Sequence, residues 1–146
     1  MAKPCVFCAI VRGESPAHRV YADDHVEAFL DVKPLFLGHT LLVPREHVAT
    51  LPDLPTDLLP HFFAVAQRLD RAVITATEAD GSMTLINNVI SQSVPHLHLH
   101  VIPRRRGDGL RWWLGPRRKY DDDAHAARMA GTIATALDVA AQEEVG

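Results

Sequence analysis

Two hydrophobic periods run along the chain and predict strands and helices in a definite order. Five short segments with apolar or alternating character are typical of strands. They span residues 19–21, 25–31, 39–43, 83–86 and 94–102. Only a few turn-prone residues separate the first three segments, which favours antiparallel pairing because a parallel pair needs a long crossover.

A period of three to four residues replaces the strand pattern between residues 57 and 78, and it predicts an amphipathic helix laid on the sheet. Pro60 is compatible with this helix, because the N–H group that it lacks has no intrahelical partner in a first turn. Residues 5–12 predict a short helix ended by Gly13, and the acidic run at residues 121–123 predicts the start of an Ala-rich helix. The predicted fold class is α+β, an antiparallel sheet of about five strands with one long inserted helix and a C-terminal helix.

Composition narrows the class of protein. A chain of 146 residues, 47% apolar and 23% charged, predicts one globular domain and not a disordered, collagenous or disulfide-stapled chain. The formal net charge of -3 argues against a nucleic-acid partner. Residues 81–103 lack Asp, Glu, Lys and Arg but carry amide, hydroxyl and imidazole groups, so we expect no membrane span. Two cysteines three positions apart, behind an N-terminus unlike a signal peptide, favour the cytoplasm.

Three of the nine histidines alternate with apolar residues in the segment His96-Leu97-His98-Leu99-His100-Val101-Ile102. On a strand, this alternation places the three imidazoles on one face, about 6 to 7 Å apart, and the aliphatic side chains in the core. An exposed strand that happens to be rich in histidine is the ordinary alternative, and strict alternation of titratable groups makes it the weaker one. A neutral imidazole attacks phosphorus or binds a metal, so the segment predicts either nucleophilic catalysis on a phosphate or a three-histidine metal centre. The spacing alone does not separate these two.

The same segment resembles the His-x-His-x-His-x-x signature of the histidine triad (HIT) family, in which x is apolar. The flanks at residues 92–94 and 103–104 resemble that family too, as do residues 7–10, 29–34, 38–44 and 46–48. The likeness covers roughly residues 4–106, so residues 1–146 are interpreted as one HIT-like domain with 107–146 as a less typical extension. The resemblance implies a homodimer with a continuous larger sheet. It also implies hydrolases or nucleotidyl transferases that act at the α-phosphate of purine nucleotide derivatives, such as phosphoramidates or dinucleoside polyphosphates.

Roles for individual residues follow from the resemblance. His98 is expected to be the nucleophile that forms a nucleotidyl-histidine, and His96 and His100 to orient it and contact phosphate oxygens. The expected substrate-binding set is Asp31 for the ribose hydroxyls, Gln92, Ser93 and Asn88 for the phosphate or leaving group, and Phe7, Ile10, Val32 and Leu41 for the base. Without the resemblance, Asp31 is interpreted as a strand-end acid that caps the turn at Lys33.

The loop before the histidines departs from the family pattern. Family members commonly have Asn-x-Gly, two or more spacer residues and then Gly-Gln, whereas this chain has the shorter Asn88-Val89-Ile90-Ser91-Gln92. Ser91 stands at the usual glycine, and its side chain is expected to limit positive φ and close approach of the backbone to phosphate. This difference bears on the loop geometry and on the leaving group that the site accepts.

Cys5 and Cys8 form a Cys-x-x-Cys pair, which by itself fits a redox pair, two small buried side chains or half of a zinc site. No βαβ pattern surrounds the pair, which weakens the redox interpretation. HIT proteins with such a pair bind a structural zinc through two cysteines and two histidines, so the resemblance implies Cys5, Cys8, His47 and His96 as the ligands. A ligating His96 cannot also hold phosphate, which would leave that task to the other two triad histidines and Ser93.

Positive charge concentrates around Trp112 and Trp113, on Arg104, Arg105, Arg106, Arg111, Arg117, Arg118 and Lys119. This mixture fits single-stranded nucleic acid, a clamp for distal phosphates, or a solvated loop whose tryptophans cover the core or a dimer partner. The negative net charge favours the solvated loop.

The leading hypothesis is a HIT-type nucleotide hydrolase or nucleotidyl transferase with a structural zinc and no organic cofactor. The alternatives are a catalytically weak nucleotide-binding dimer that serves protein interactions, and a metal-dependent hydrolase centred on the triad. Among the other histidines, His39 has no assigned chemical role, and His18, His25, His61 and His125 are interpreted as ordinary polar residues.

Overall fold

The computed structural model describes residues 4–111 and 118–143. The chain divides into two compact units, one up to residue 109 and one from residue 110 onward. The first unit contains α1 Val6–Val11, β1 Arg19–Ala22, β2 Val26–Leu30, β3 Thr40–Pro44, α2 Leu59–Thr77, β4 Gly81–Ile86 and β5 Leu99–Arg104, and the second contains α3 Asp123–Glu143. No helix in these described ranges is long and apolar enough to cross a membrane.

The five strands form one sheet in the order β1-β2-β3-β5-β4, and every neighbouring pair is antiparallel. The predicted α+β class is therefore confirmed, together with the long helix inserted between β3 and β4. The predicted start of the last strand at residue 94 is wrong, because β5 begins at Leu99. The backbone N–H groups before it are used elsewhere: His96 donates to Val94 O, and Leu97 donates to Val48 O. His96 and His98 thus lie in the extended segment that leads into β5.

The two faces of the sheet are covered by different helices, as the strand alternation requires. One face packs against α2 through a cluster that includes Leu42, Phe62, Leu97, Leu99 and Val101. The other face packs against α1 through Phe7, Ile10, Phe29, Leu41 and Val43. The aliphatic residues of the histidine segment therefore lie in the α2 core, as predicted from their spacing.

An ion-pair network fixes the short helix α1 to the sheet. Glu27 on β2 is fully buried, and its two carboxylate oxygens accept hydrogen bonds from Arg19 and Arg45. The same guanidinium groups also donate to the carbonyl oxygens of Ile10 and Val11, at the C-terminal end of α1. Cations are favourable at this end of a helix because its carbonyls are unpaired.

The loop between β2 and β3 depends on Gly38. This residue has φ +97°, and a Cβ built on it would lie 2.5 Å from Cγ2 of Thr77. Both the conformation and the close approach exclude larger residues. Gly38 thus allows the chain to turn tightly beside α2 and place His39 at the start of β3.

Candidate functional site

His96 is fully buried in the turn before β5, and both of its ring nitrogens have partners. Its Nε2 lies 2.8 Å from Pro44 O, which accepts only, so Nε2 carries the proton. The Nδ1 lone pair then faces the sulfurs of Cys5 at 3.4 Å and Cys8 at 3.5 Å. Burial also lowers the pKa of His96, which keeps the imidazole neutral.

The Cys/His cluster comprises Cys5, Cys8, His47 and His96. Cys5 is the N-cap of α1, and its sulfur accepts the backbone N–H of Cys8, which brings the two sulfurs to one side of the helix start. Nδ1 of His47 lies 3.2 Å from Sγ of Cys8, and the four ligand atoms all lie within 4.8 Å of one another.

This donor set fits zinc. Two soft sulfurs and two neutral imidazole nitrogens match a tetrahedral structural zinc site, and the Nε2–H bond of His96 to a carbonyl is the outer contact typical of a metal-ligating histidine. Burial, and then the neighbouring Cys5, raise the pKa of the Cys8 thiol, so two thiolates at this place require a compensating cation.

His98 is held with the opposite ring nitrogen. Its Nδ1 lies 2.8 Å from the carbonyl oxygen of His96, so Nδ1 carries the proton and Nε2 carries the lone pair. The ring packs edge-on against Phe7 of α1, with centroids 5.2 Å apart, and His98 lines a cavity on the α1 face of the sheet. An oriented neutral imidazole with a free lone pair is the form that a nucleophile needs.

The cavity has a volume of about 510 Å³, within the range of small-molecule sites. It brings together most of the predicted site residues, namely Phe7, Ile10, Asp31, Val32, Leu41, Ser93, His98 and His100. Most of its lining side chains are apolar, many of them from α1, β2 and β3, while Ser93, His98 and His100 add polar groups. Ser15 and Lys33 also line it, and the sequence interpretation assigned a site role to neither.

Gln92 and Asn88 do not line this cavity, although both were predicted to bind substrate. The amide group of Gln92 accepts from the Val89 N–H at 3.0 Å and donates to Ala49 O at 2.6 Å, and the Asn88 side chain accepts from the Leu51 N–H at 2.8 Å. Both side chains bind the loop before the triad to residues 49–51. Ser91 has φ +60° and Val89 has φ +67°, so side chains do not prevent positive φ in this loop.

Asp31 caps the turn at Lys33 and also lines the cavity. Its Oδ1 accepts the backbone N–H of Lys33 at 2.8 Å, which is the turn-capping contact, and the residue also lines the cavity. Its Oδ2 lies 3.6 Å from Nε2 of His39. The carboxylate is therefore fixed in place at the cavity wall.

His100 on β5 and His39, which directly precedes β3, form a pair at the cavity. Nε2 of His39 lies 2.9 Å from Nδ1 of His100, and the His100 ring lies 4.9 Å from the His98 ring. Burial, and then the neighbouring His98 and His39, lower the pKa of His100 to about 4. Sequence analysis assigned His39 no role. Only the pairing of β3 with β5, which sets Thr40 opposite Val101, could have indicated that His39 lies beside His100.

The basic residues after β5 have structural partners. Arg104 forms an ion pair with Asp108, and the Arg105 guanidinium donates to the carbonyl oxygens of Thr77 and Glu78 at the end of α2. These contacts satisfy the carbonyls of a helix C-terminus and agree with a mainly structural role for this part of the basic run. Trp112, Trp113 and Arg117 lie outside the described residues.

Comparison with known proteins gives a consistent result. The HIT domain model matches residues 12–107. An uncharacterized HIT-like protein of Mycobacterium tuberculosis is 41% identical over 143 residues, which cover 96% of this chain and 99% of that protein. The adenylylsulfatase HINT3 of Arabidopsis thaliana is 38% identical over 73% of this chain and 55% of its own length. An adenosine 5'-monophosphoramidase of Saccharomyces cerevisiae is 36% identical over 69% of this chain and 63% of its own.

Solved structures show the same relationship. A HIT family protein from Bacillus subtilis superposes with a TM-score of 0.83 at 33% identity, over 91% of this chain and 96% of that one. A zinc-bound histidine triad protein from Mycobacterium smegmatis has a TM-score of 0.69 at 40% identity, over 93% of this chain and 96% of that one.

Proposed function

The chain belongs to the HIT family, and on that premise we propose that it hydrolyses or transfers the nucleotidyl group of purine nucleotide derivatives, with His98 as the nucleophile. The relatives that are named as an adenylylsulfatase and an adenosine monophosphoramidase support this reaction class. Adenosine phosphoramidate and dinucleoside polyphosphates are the proposed substrates.

One observation carries the proposal. The Nδ1–H of His98 is bonded to the His96 carbonyl, so the only lone pair of the ring is on Nε2, and the residue faces the cavity. The lone pair would attack the α-phosphorus while the bond from phosphorus to the leaving group breaks. The leaving group departs with the bonding electron pair and takes up a proton from solvent. Water then adds its hydroxyl group to phosphorus as the bond from phosphorus to Nε2 breaks, its other proton is released to solvent, and His98 returns to its neutral form.

The other cavity residues would hold the substrate around this atom. The apolar wall formed by Phe7, Ile10 and Leu41 fits a purine ring, and the fixed carboxylate of Asp31 is placed to accept from ribose hydroxyls. Ser93, which also lines the cavity, would offer a hydroxyl donor to the phosphate or leaving group. His96 is left out of phosphate binding, because Pro44 O and the Cys/His cluster engage its two nitrogens.

We also propose that the Cys/His cluster holds a structural zinc, bound by Sγ of Cys5 and Cys8 and by Nδ1 of His47 and His96. A zinc there would tie the start of α1 to the segment that carries the nucleophile. The zinc-bound relative from Mycobacterium smegmatis supports this assignment.

A homodimer remains part of the proposal. In the described part of the chain, β4 stands at one edge of the sheet, where its outer backbone groups are available for pairing with a second copy. Such pairing would give the continuous larger sheet expected from the family resemblance. Light scattering coupled to size exclusion tests it, and a monomer at all micromolar concentrations would contradict it.

The test of the catalytic proposal compares wild type with His98→Asn on adenosine phosphoramidate and on a diadenosine polyphosphate. Asparagine keeps an N–H donor for the His96 carbonyl but has no nucleophilic nitrogen, so kcat should fall by about 10³-fold or more. His25→Asn is the matched control. It changes an exposed histidine that lines a separate cavity, and its turnover should equal that of wild type.

Rapid acid quench followed by mass spectrometry should show one nucleotidyl group on the wild-type chain and none on His98→Asn. Unchanged turnover in His98→Asn would exclude His98 as the nucleophile. Tight nucleotide binding without turnover in the wild type would favour the nucleotide-binding dimer instead. A metal hydrolase centred on the triad is disfavoured by geometry, because Nδ1 of His96 faces the two cysteine sulfurs and is engaged there, whereas the nitrogen left to His98 is Nε2.

A further inference from the structure

His39 is a buried histidine whose protonation pattern is fixed by its own loop. The backbone N–H of Leu35 points at Nδ1 of His39, with a nitrogen separation of 3.1 Å. A backbone N–H only donates, so Nδ1 must carry the lone pair. Burial is the main cause that lowers the pKa of His39, so the ring is neutral and its single proton is on Nε2.

That proton fixes the next ring in turn. Nε2 of His39 lies 2.9 Å from Nδ1 of His100, which therefore accepts the hydrogen bond. The neutral His100 ring must then carry its own proton on Nε2. Its pKa of about 4 keeps this ring neutral near pH 7.

His98 and His100 thus present opposite groups to the cavity that both of them line. His98 offers a lone pair, because its Nδ1–H is bonded to the His96 carbonyl, whereas His100 offers an N–H. The two rings lie 4.9 Å apart, close enough to act on one phosphoryl group. A nucleophile beside a neutral donor suits a phosphorus centre whose oxygens gain negative charge during attack.

We propose that His39 is a positioning residue that selects the tautomer of His100, so that His100 donates Nε2–H to a phosphoryl oxygen while His98 attacks. This role rests on the proposed function. His39 itself touches neither substrate nor the reacting atoms. Asp31, 3.6 Å from Nε2 of His39, favours the same placement of the proton because its carboxylate attracts that N–H.

A metal ion is the competing explanation for this group. Ligand atoms of Asp31, His39 and His100 lie within 4.8 Å of one another, a spacing that also suits a metal. Binding through Nε2 of His39 would require the lone pair on Nε2 and therefore the proton on Nδ1. That proton would face the Leu35 N–H, donor against donor, at the observed 3.1 Å. The hydrogen-bond pattern thus favours a proton donor chain.

The experiment uses the zinc-loaded protein and two variants of His39. His39→Gln keeps both functions, since the glutamine oxygen can accept from the Leu35 N–H and its NH₂ can donate to His100. His39→Leu has a similar volume and neither function. Nitrogen-15 NMR of the histidine rings, assigned with His100→Asn, reports the tautomer directly.

We expect His100 to be the Nε2–H form in wild type and in His39→Gln, and to become a mixture of both tautomers in His39→Leu. In parallel, kcat on adenosine phosphoramidate should fall roughly 10- to 100-fold in His39→Leu with KM little changed, and stay within about threefold of wild type in His39→Gln. Zinc content should remain that of wild type in both variants.

Several outcomes would overturn the proposal. An Nδ1–H tautomer of His100 in the wild type would do so without any variant, even if His39→Leu does not fold. Equal kcat in wild type and His39→Leu would remove the positioning role, and a second metal equivalent that is lost in His39→Leu would assign the group to a metal. The tautomer measurement stands apart from the catalytic proposal, which fails instead if His98→Asn keeps its turnover.

Discussion

At one end of the histidine segment His96 turns Nδ1 toward two cysteine sulfurs, whereas at the other end His100 turns its Nε2 side toward the cavity. The residue type and the alternation are the same at both ends. The partners differ: Pro44 O takes the Nε2 proton of His96, while Nε2 of His39 lies against Nδ1 of His100. Contacts from distant parts of the chain, and not the spacing of the histidines, decide which nitrogen each ring offers.

The two ends also differ in what they contribute. The Cys/His cluster joins α1, residue 47 and the turn before β5, so a bound zinc would act mainly on folding stability. The cavity end contains polar groups that would face a substrate under the proposed function, so its loss should act mainly on turnover. Each prediction below tests this division.

Loss of the proposed zinc ligand Cys8 should give the largest effect on stability. In Cys8→Ser the site loses one of its four ligands, and the free energy of unfolding should fall by about 4 kcal/mol if free zinc is a thousandfold above its Kd. Denaturant unfolding and metal content measure both changes. His98→Asn is the comparison variant, because it should keep the zinc and the stability while losing activity.

Equal stability of Cys8→Ser and wild type, with zinc still bound to wild type, would mean that the metal does not support the fold. Full metal loss without any fall in activity would further show that the cluster does not position the nucleophile.

Replacement of Glu27 should affect both the Cys/His cluster and the cavity, because Glu27 holds the helix that carries Cys5, Cys8, Phe7 and Ile10. Glu27→Gln leaves two arginines without their carboxylate. The cost should be about 2 kcal/mol, less than for a fully buried pair because both arginines are partly exposed. Zinc affinity and nucleotide affinity, measured by titration calorimetry, should both fall.

Glu14→Gln is the matched control for Glu27. It breaks an exposed ion pair with Arg12 just after the same helix, and such pairs contribute little to stability. A fall in only one of the two affinities in Glu27→Gln would show that α1 does not link the two ends.

The depressed pKa of His100 gives an effect on stability that depends on pH. The unfolded chain protonates this histidine near pH 6.5, and the folded chain only near pH 4, so the unfolded state binds more protons between these values. The free energy of unfolding therefore decreases as the pH falls through this window. From pH 7 to pH 4, the free energy of unfolding should fall more in wild type than in His100→Asn. An equal fall in both proteins would contradict the prediction.

Much of the difference between the Cys/His cluster and the cavity could be predicted from the sequence. Alternation correctly placed Leu97, Leu99 and Val101 in the core, and the long helix and antiparallel order followed from local periodicity. The family resemblance named the four cluster ligands and half of the residues that line the cavity, and the structure brings the members of each group together.

The remainder depended on contacts that no local pattern contains. The start of β5 was missed because Val48 O takes the Leu97 N–H, and no local pattern indicates that Ala49 O binds the Gln92 amide. Assignment of the tautomers of the three triad histidines requires the partner atoms of each ring. Pro44 and His39 supply these atoms to His96 and His100 from distant parts of the chain, which become neighbours only after folding, whereas the partner of His98 is the nearby His96 carbonyl.

Strain in the loop before the triad should give the smallest effect. Val89 has φ +67°, a left-handed conformation that costs a β-branched residue about 1 to 2 kcal/mol. Glycine removes that cost but makes the unfolded chain more flexible, so Val89→Gly should stabilise the protein by about 0.5 kcal/mol. Val20→Gly on β1 is the control. Val20 is also exposed but lies in a strand, so its replacement should destabilise the protein.

Activity measurements show whether the strain at Val89 matters to the cavity end of the histidine segment. Val89 does not line the cavity, and glycine keeps the N–H that donates to Gln92, so Gln92 should still bind the loop to Ala49 and turnover should be unchanged. Thermal unfolding with zinc bound, combined with kcat on adenosine phosphoramidate, measures both quantities. A more stable Val89→Gly protein with lower kcat would mean that the strained loop holds Ser93 in its place at the cavity, and the strain would then belong to the catalytic end.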